Sequence, residues 1–215
     1  MKIQAKQKLL MIGDSITDCE RVRPIGEGRM EGYGKGYVSL VNAFIQTSYP
    51  ERRIRVVNMG ISANTVRDLK ARWQTDVLDL KPDWVSIMIG INDVWRTFHS
   101  PQMPERHVPL PEYEKTLTDL LNKTLPKVKG AVLMTPFFIE NNHGDPMRTM
   151  MDLYGASVKK IAKKFDLPCV DTQAAFDHVL KSMHSSALAW DRIHPETVGH
   201  MVIARAFLKT IDFEK

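Results

Sequence analysis

A chain of 215 residues with 43% hydrophobic and 26% charged side chains has the composition of a globular protein and can bury one sizeable core, so a single domain over residues 1–215 is expected. The net charge of +5 is small for that length, and the basic clusters (Arg52, Arg53, Arg55; Lys159, Lys160, Lys163, Lys164) are short and carry no nucleic-acid-binding motif, which excludes a nucleic-acid partner. No apolar run approaches the roughly 20 residues of a membrane span, and the run behind the basic N-terminus stops at Gly13, too short for a signal-peptide core. A cytoplasmic protein with no membrane partner is expected.

The first element is Leu9-Leu10-Met11-Ile12, an apolar run of strand length that drives into Gly13-Asp14-Ser15. A serine there sits on the turn leaving the C-terminal end of a buried strand, where open α/β sheets place their ligands. A glycine-rich polar run, Cys19 to Gly36, reads as a long loop forming one wall of a pocket. Helical spacing of Tyr37, Leu40, Val41, Phe44 and Ile45 follows, then a short strand at Ile54–Asn58. A second helix is expected from Asn64 or Thr65 to about Leu78.

Trp84-Val85-Ser86-Ile87-Met88-Ile89 is almost wholly apolar, as a strand covered on both faces must be. After Gly90-Ile91-Asn92-Asp93 the prolines 101, 104, 109 and 111 mark a loop, followed by a helix with Tyr113, Leu117, Leu120 and Leu121 inward. Gly130–Thr135 is a fourth strand. Asp145-Pro146 opens a helix whose stripe is Met147, Met151, Tyr154, Val158, Ile161 and Phe165. Leu167–Asp171 is a fifth strand, a helix spans about Ala174 to Leu180, and a last helix from Pro195 is expected to turn Val198, Val202 and Ala206 inward. Five strands alternating with helices predict an α/β fold, a three-layer α/β/α sandwich on a mainly parallel five-stranded sheet.

A parallel sheet brings the loops after Gly13, Gly60 and Gly90 to one edge, and there a serine nucleophile needs a base, an orienting carboxylate and oxyanion donors. Among seven histidines, His194 is the candidate base, with Asp191 at an orienting spacing in Asp-x-x-His. On spacing alone, Asp191 as a helix cap and His194 as a surface residue is the favoured reading. The Ser15 N–H, the Gly60 N–H and the Asn92 amide are candidate oxyanion donors; an αL turn at Gly60 and a loop cap at Asn92 are the ordinary alternatives. Cys19 and Cys169 have no metal or redox spacing and read as free thiols. No His-Glu-x-x-His spacing appears, and neither a metal nor another cofactor is expected.

In this order the four blocks resemble those of the SGNH hydrolases, or GDSL-type esterases: Gly13-Asp14-Ser15, Gly60, Gly90-Ile91-Asn92-Asp93 and Asp191-Arg192-Ile193-His194. The one departure is Gly-Asp-Ser-Ile for Gly-Asp-Ser-Leu, a near-isosteric change. A closer resemblance runs through Asn64–Trp73, Gly90–Arg96 and Ala189–Arg192, which look like the bacterial intracellular acetylxylan esterases. The resemblance implies a flavodoxin-like sheet, a Ser15-His194-Asp191 triad and an oxyanion hole of Ser15, Gly60 and Asn92. It implies acetylated xylo-oligosaccharides as substrate, and self-association into a homo-oligomer. Asp14, Trp95 and Trp190 are candidate substrate-binding residues, with turn ordering for Asp14 and plain packing for the tryptophans as the other readings. A thioesterase or lysophospholipase built on the same triad is the alternative function.

Overall fold

In the computed structural model, which describes residues 1–214, the apolar runs become five strands: β1 (Lys8–Gly13), β2 (Arg55–Asn58), β3 (Trp84–Met88), β4 (Gly130–Met134) and β5 (Cys169–Val170). All neighbours pair in parallel, in the order β2-β1-β3-β4-β5. The strands are buried almost throughout, so apolar surface is removed from water on both faces. Helices cover both faces: α2 (Tyr37–Ser48), α7 (Thr172–Val179) and α8 (Thr197–Thr210) pack together, as do α3 (Val66–Trp73), α4 (Ile91–His99), α5 (Leu110–Thr124) and α6 (Pro146–Lys164). A four-residue helix, α1 (Ser15–Asp18), follows β1 directly.

The register positions the site. Gly13 pairs with Met88 and Met11 with Asn58, so β1, β2 and β3 end side by side. The chain order reverses between β1 and β3, the point in a doubly wound sheet where two loops part and leave a crevice. Residues 14–18 emerge on one side of that crevice and residues 90–93 on the other.

Two expectations need correction. The stretch after Gly90 is not loop but α4, nine residues rich in Asn, Asp, Val, Thr and aromatics whose helix propensity is low; burial of Ile91, Asn92, Asp93 and Val94 supplies what propensity does not. The last helix begins at Thr197, and its buried face is Gly199, His200, Ile203, Ala204, Phe207 and Leu208, while Val198 is 51% exposed. Aliphatic residues lie all round this helix, so its apolar spacing does not single out one face, and the buried face lies one residue round from the expected one. The glycine-rich run folds back on β2, with Gly26 bridging to Asn58 and buried Arg21 donating to the carbonyls of Gly60, Val22 and Pro24.

Candidate active site

A Cβ on Gly13 would come within 2.3 Å of the Met88 carbonyl oxygen, so only glycine lets β1 and β3 close up where the turn to Ser15 begins. Asp14 then caps α1, its Oδ1 accepting the Ile16 N–H at 3.0 Å. Ser15 is the first helical residue, and its N–H has no hydrogen-bond partner among the described residues. Four residues cannot hold a helix by their own bonds, and neighbours fix this one. Thr17 Oγ1 meets the Tyr37 hydroxyl at 3.0 Å, Asn58 Nδ2 donates to the Thr17 carbonyl at 2.6 Å, and Asp18 Oδ2 accepts from Ser62 N–H, Ser62 hydroxyl and Arg23.

Ser15 Oγ lies 2.9 Å from His194 Nε2, and His194 Nδ1 lies 2.6 Å from Asp191 Oδ2. The second oxygen, Asp191 Oδ1, accepts the backbone N–H of Ile193 at 2.9 Å and of His194 at 2.8 Å, so one carboxylate folds the turn and orients the ring at once. Burial pushes the Asp191 carboxyl up, but the hydrogen bonds from the His194 ring and from the two N–H groups outweigh it and hold it below the usual carboxylate range. Asp191 is therefore ionised and able to accept a hydrogen bond from Nδ1–H, which leaves Nε2 as the acceptor facing Ser15. The His194 and Asp191 side chains are 45% and 39% exposed, open to an approaching ester.

Gly60 is placed differently from expectation. Its N–H donates to Asn58 Oδ1 at 2.8 Å, and a Cβ here would sit 2.2 Å from the Asp18 nitrogen. The glycine is needed for close approach of β2's end to the backbone of α1, and its N–H is spent. Three residues on, Ala63 adopts a left-handed conformation (φ +65°), is exposed, and has an N–H with no partner among the described residues. The turn is gripped from α4: Asn92 Nδ2 donates to the Asn64 carbonyl at 2.9 Å and Arg96 Nη2 to the Ala63 carbonyl at 2.5 Å. Asn92 keeps its second amide hydrogen for another acceptor. Alanine carries no turn signal, so nothing in the sequence pointed to this position.

Trp95 stands edge-on to the His194 ring, centroids 6.2 Å apart, and packs on His99 at 4.9 Å, so it borders the site. Trp190 is 86% exposed and lines a cleft of about 370 Å³ with Glu140, Asn141, His184 and Arg192. Asp14 lies beneath the site, 1% exposed, and cannot touch a substrate there. Asp93 is likewise buried, its Oδ1 accepting the Val66 N–H while Oδ2 has no partner.

Burial pushes Asp14 up to about 7, against the Ile16 hydrogen bond and with the charge of Asp93 adding to it; burial pushes Asp93 to about 7 as well. Both carboxyls keep a proton in the folded state that the unfolded chain releases near pH 3.8, so their contribution to stability is complete below that value and is lost as pH rises through about 7. Urea unfolding is expected to show stability falling over this window, with a shallower slope in Asp93→Asn; an equal slope would remove Asp93 from the account.

Residues 11–202 match the model of the GDSL-like lipase/acylhydrolase family. The chain belongs to this family. Over 214 residues it is 61% identical to an acetylxylan esterase of Geobacillus stearothermophilus, covering 100% of this chain and 98% of that one. The crystal structure of that family member superposes with a TM-score of 0.98 over the same shares of the two chains, and its S15A, D191A and H194A variants are described as catalytic mutants. An alpha/beta hydrolase enzyme from the metagenome of Lake Arreo, Spain, is 53% identical, with a TM-score of 0.97 over 99% of this chain and 98% of its own. Family membership and the sheet order agree with the fold expected of an SGNH hydrolase. No helix among the described residues is long and apolar enough to cross a membrane.

Proposed function

We propose that this protein is a serine esterase that removes O-acetyl groups from xylo-oligosaccharides or related acetylated sugars, through Ser15, His194 and Asp191. The observation that carries the reading is the unbroken line from Ser15 Oγ through His194 to Asp191, with links of 2.9 and 2.6 Å. The 61% identical relative named for acetylxylan supports the choice of substrate.

His194 Nε2 takes the Ser15 proton as Oγ bonds to the ester carbonyl carbon, and the carbonyl oxygen gains the negative charge. The Ser15 N–H, the Ala63 N–H and the free amide hydrogen of Asn92 are the donors that meet this charge, with Ala63 in the place first expected of Gly60. Collapse releases the sugar hydroxyl, protonated by His194, and leaves acetyl on Ser15. His194 then deprotonates a water that attacks the acyl carbon, and acetate departs. Asn92→Ala is expected to lower kcat by about 10² to 10³-fold with KM little changed, because its second hydrogen meets charge that exists only on the way to products. A loss confined to KM would remove Asn92 from the oxyanion hole.

Trp95 walls the reacting ester, and the exposed indole of Trp190 offers a flat face for a sugar ring beside the Asp191–His194 turn. On the same reading the chain is one catalytic domain, acting in the cytoplasm as a homo-oligomer. Acetate release from acetylated xylo-oligosaccharides, set beside hydrolysis of long-chain acyl esters and thioesters, tests the substrate: higher kcat/KM on the acetylated sugars supports it, and preference for long acyl chains moves the protein to the thioesterase or lysophospholipase reading.

A further inference from the structure

The C-cap of the nucleophile helix is Cys19, in the left-handed region at φ +39°, with its N–H donating to the Ser15 carbonyl at 3.0 Å. Its Sγ lies 3.1 Å from Nε2 of His200, a residue 4% exposed in the first turn of α8, six positions beyond His194. The tautomer of this ring follows from its other side. The Tyr37 N–H donates to His200 Nδ1 at 3.2 Å, so the neutral ring carries its proton on Nε2 and aims it at the sulfur. The Cys19 thiol in turn points to the Ile16 carbonyl, 3.6 Å away inside α1.

The surroundings keep both groups uncharged. Burial pulls His200 down to about 4, helped by the proximity of His194, and burial with the charges of Asp18 and Asp14 pushes the Cys19 thiol up to about 12. A thiol in that state is neither a nucleophile nor a ready target for oxidation. The packing is tight as well: a Cβ on Gly36 would fall 2.6 Å from Cys19 Sγ and 3.0 Å from His200 Cε1, and the Tyr37 ring lies 17° from parallel to the imidazole. The nucleophile and the base arrive on separate ends of the chain. The contact between Cys19 and His200 joins the α1 end of one to the α8 end of the other.

We propose that His200 is a positioning residue for the esterase reaction: its Nε2–H bond to Cys19 Sγ ties the C-cap of the nucleophile helix to α8 and thereby sets the spacing of Ser15 Oγ from His194 Nε2. It touches neither substrate nor reacting atoms. Cutting the tie leaves α1 held by Tyr37, Asn58 and Ser62 but removes its link to α8, and a displacement well under 1 Å at the attacking atom is enough to cost about 10-fold in rate. The proposal rests on Ser15 being the nucleophile.

The test compares Cys19→Ala, Cys19→Ser, His200→Leu and the double variant Cys19→Ala/His200→Leu. Each is assayed for kcat and KM on an aryl acetate, for the second-order rate at which an organophosphonate labels Ser15, and for Tm. Cys19→Ala and His200→Leu are expected to lower kcat and the labelling rate together by about 10-fold, leaving KM within about twofold. The double variant is expected to fall no further than either single one, because both remove the same link. Cys19→Ser, which keeps an acceptor for Nε2–H, is expected to stay within about twofold of the parent. A lowered Tm with unchanged kcat and unchanged labelling makes the pair a packing contact and overturns the proposal, as does additive loss in the double variant. Should His200→Leu fail to fold, the contrast between Cys19→Ala and Cys19→Ser decides alone. A parent protein that resists labelling overturns the nucleophile assignment and this role with it, whereas a labelled parent with unaffected variants overturns this role only.

Discussion

Ser15→Ala is expected to lower kcat on an aryl acetate by about 10⁴-fold or more, and His194→Ala by a similar factor. The hydroxyl stands 2.9 Å from His194 Nε2, the one group among the described residues placed to take its proton, so removing either partner is expected to abolish the acyl-transfer route and not just a part of it. The two losses are therefore expected not to add in the double variant. The alanine variant at position 15 retains the backbone N–H, which has no other partner among the described residues, and with Asn92 it still offers donors to the carbonyl oxygen. Residual turnover above the uncatalysed rate is the expected signature of that surviving electrostatic stabilisation. Single-turnover rates measured on folded variants check both points, and near-parental turnover by Ser15→Ala would remove the serine from the mechanism.

Asp191→Asn is expected to cost about 10⁴-fold in kcat while leaving the turn intact. Oδ1 accepts the N–H groups of Ile193 and His194, and an asparagine oxygen keeps both bonds. What changes is the atom facing His194 Nδ1, where an acceptor at 2.6 Å becomes an amide donor. The ring then places its proton on Nε2, and the nitrogen facing Ser15 can no longer accept. The loss is thus a wrong tautomer in a right geometry. A folded variant with a somewhat lower Tm above pH 5, where the ionised Asp191 contributes stability, and a collapsed kcat is the expected result; a fall in kcat below 10-fold would mean that the imidazole is oriented by something other than this carboxylate.

Legibility from sequence followed the physics that each feature rests on. The five strands were legible because burial on both faces demands nearly continuous apolar runs, as in Trp84–Met88. Ser15, His194 and Asp191 were legible because their chemistry requires particular side chains at particular spacings. Features that depend on backbone state were not. Ala63 gives no hint that its φ is positive, and Gly60 gives a strong hint of close approach without saying which group approaches. The α4 helix owes its form to burial of its first turn, which propensity cannot report. His200 carries no local sign of its role, because its partner is a thiol 181 residues away in the chain.

Asp14 shows the same limit in another form. Its place beside Ser15 suggested a substrate role, yet the tight turn after Gly13 sends the carboxyl inward to cap α1, with Asp93 as the nearby second buried carboxyl. The floor of the site thus holds two buried acids whose carboxyls are pushed up to about 7 and answer to pH through stability, separate from the Ser15, His194 and Asp191 cluster.

The central claim, a covalent acyl-enzyme on Ser15, is tested most directly by quenching the enzyme in acid during turnover of an aryl acetate and mapping the modified peptide by mass spectrometry. The account predicts an acetyl group on the peptide Gly13–Asp18, located on Ser15, absent from Ser15→Ala and lost again on incubation at neutral pH. Full turnover with no acetyl on Ser15 under conditions where deacylation is slowed, or an acetyl group carried by another residue in both proteins, would contradict it.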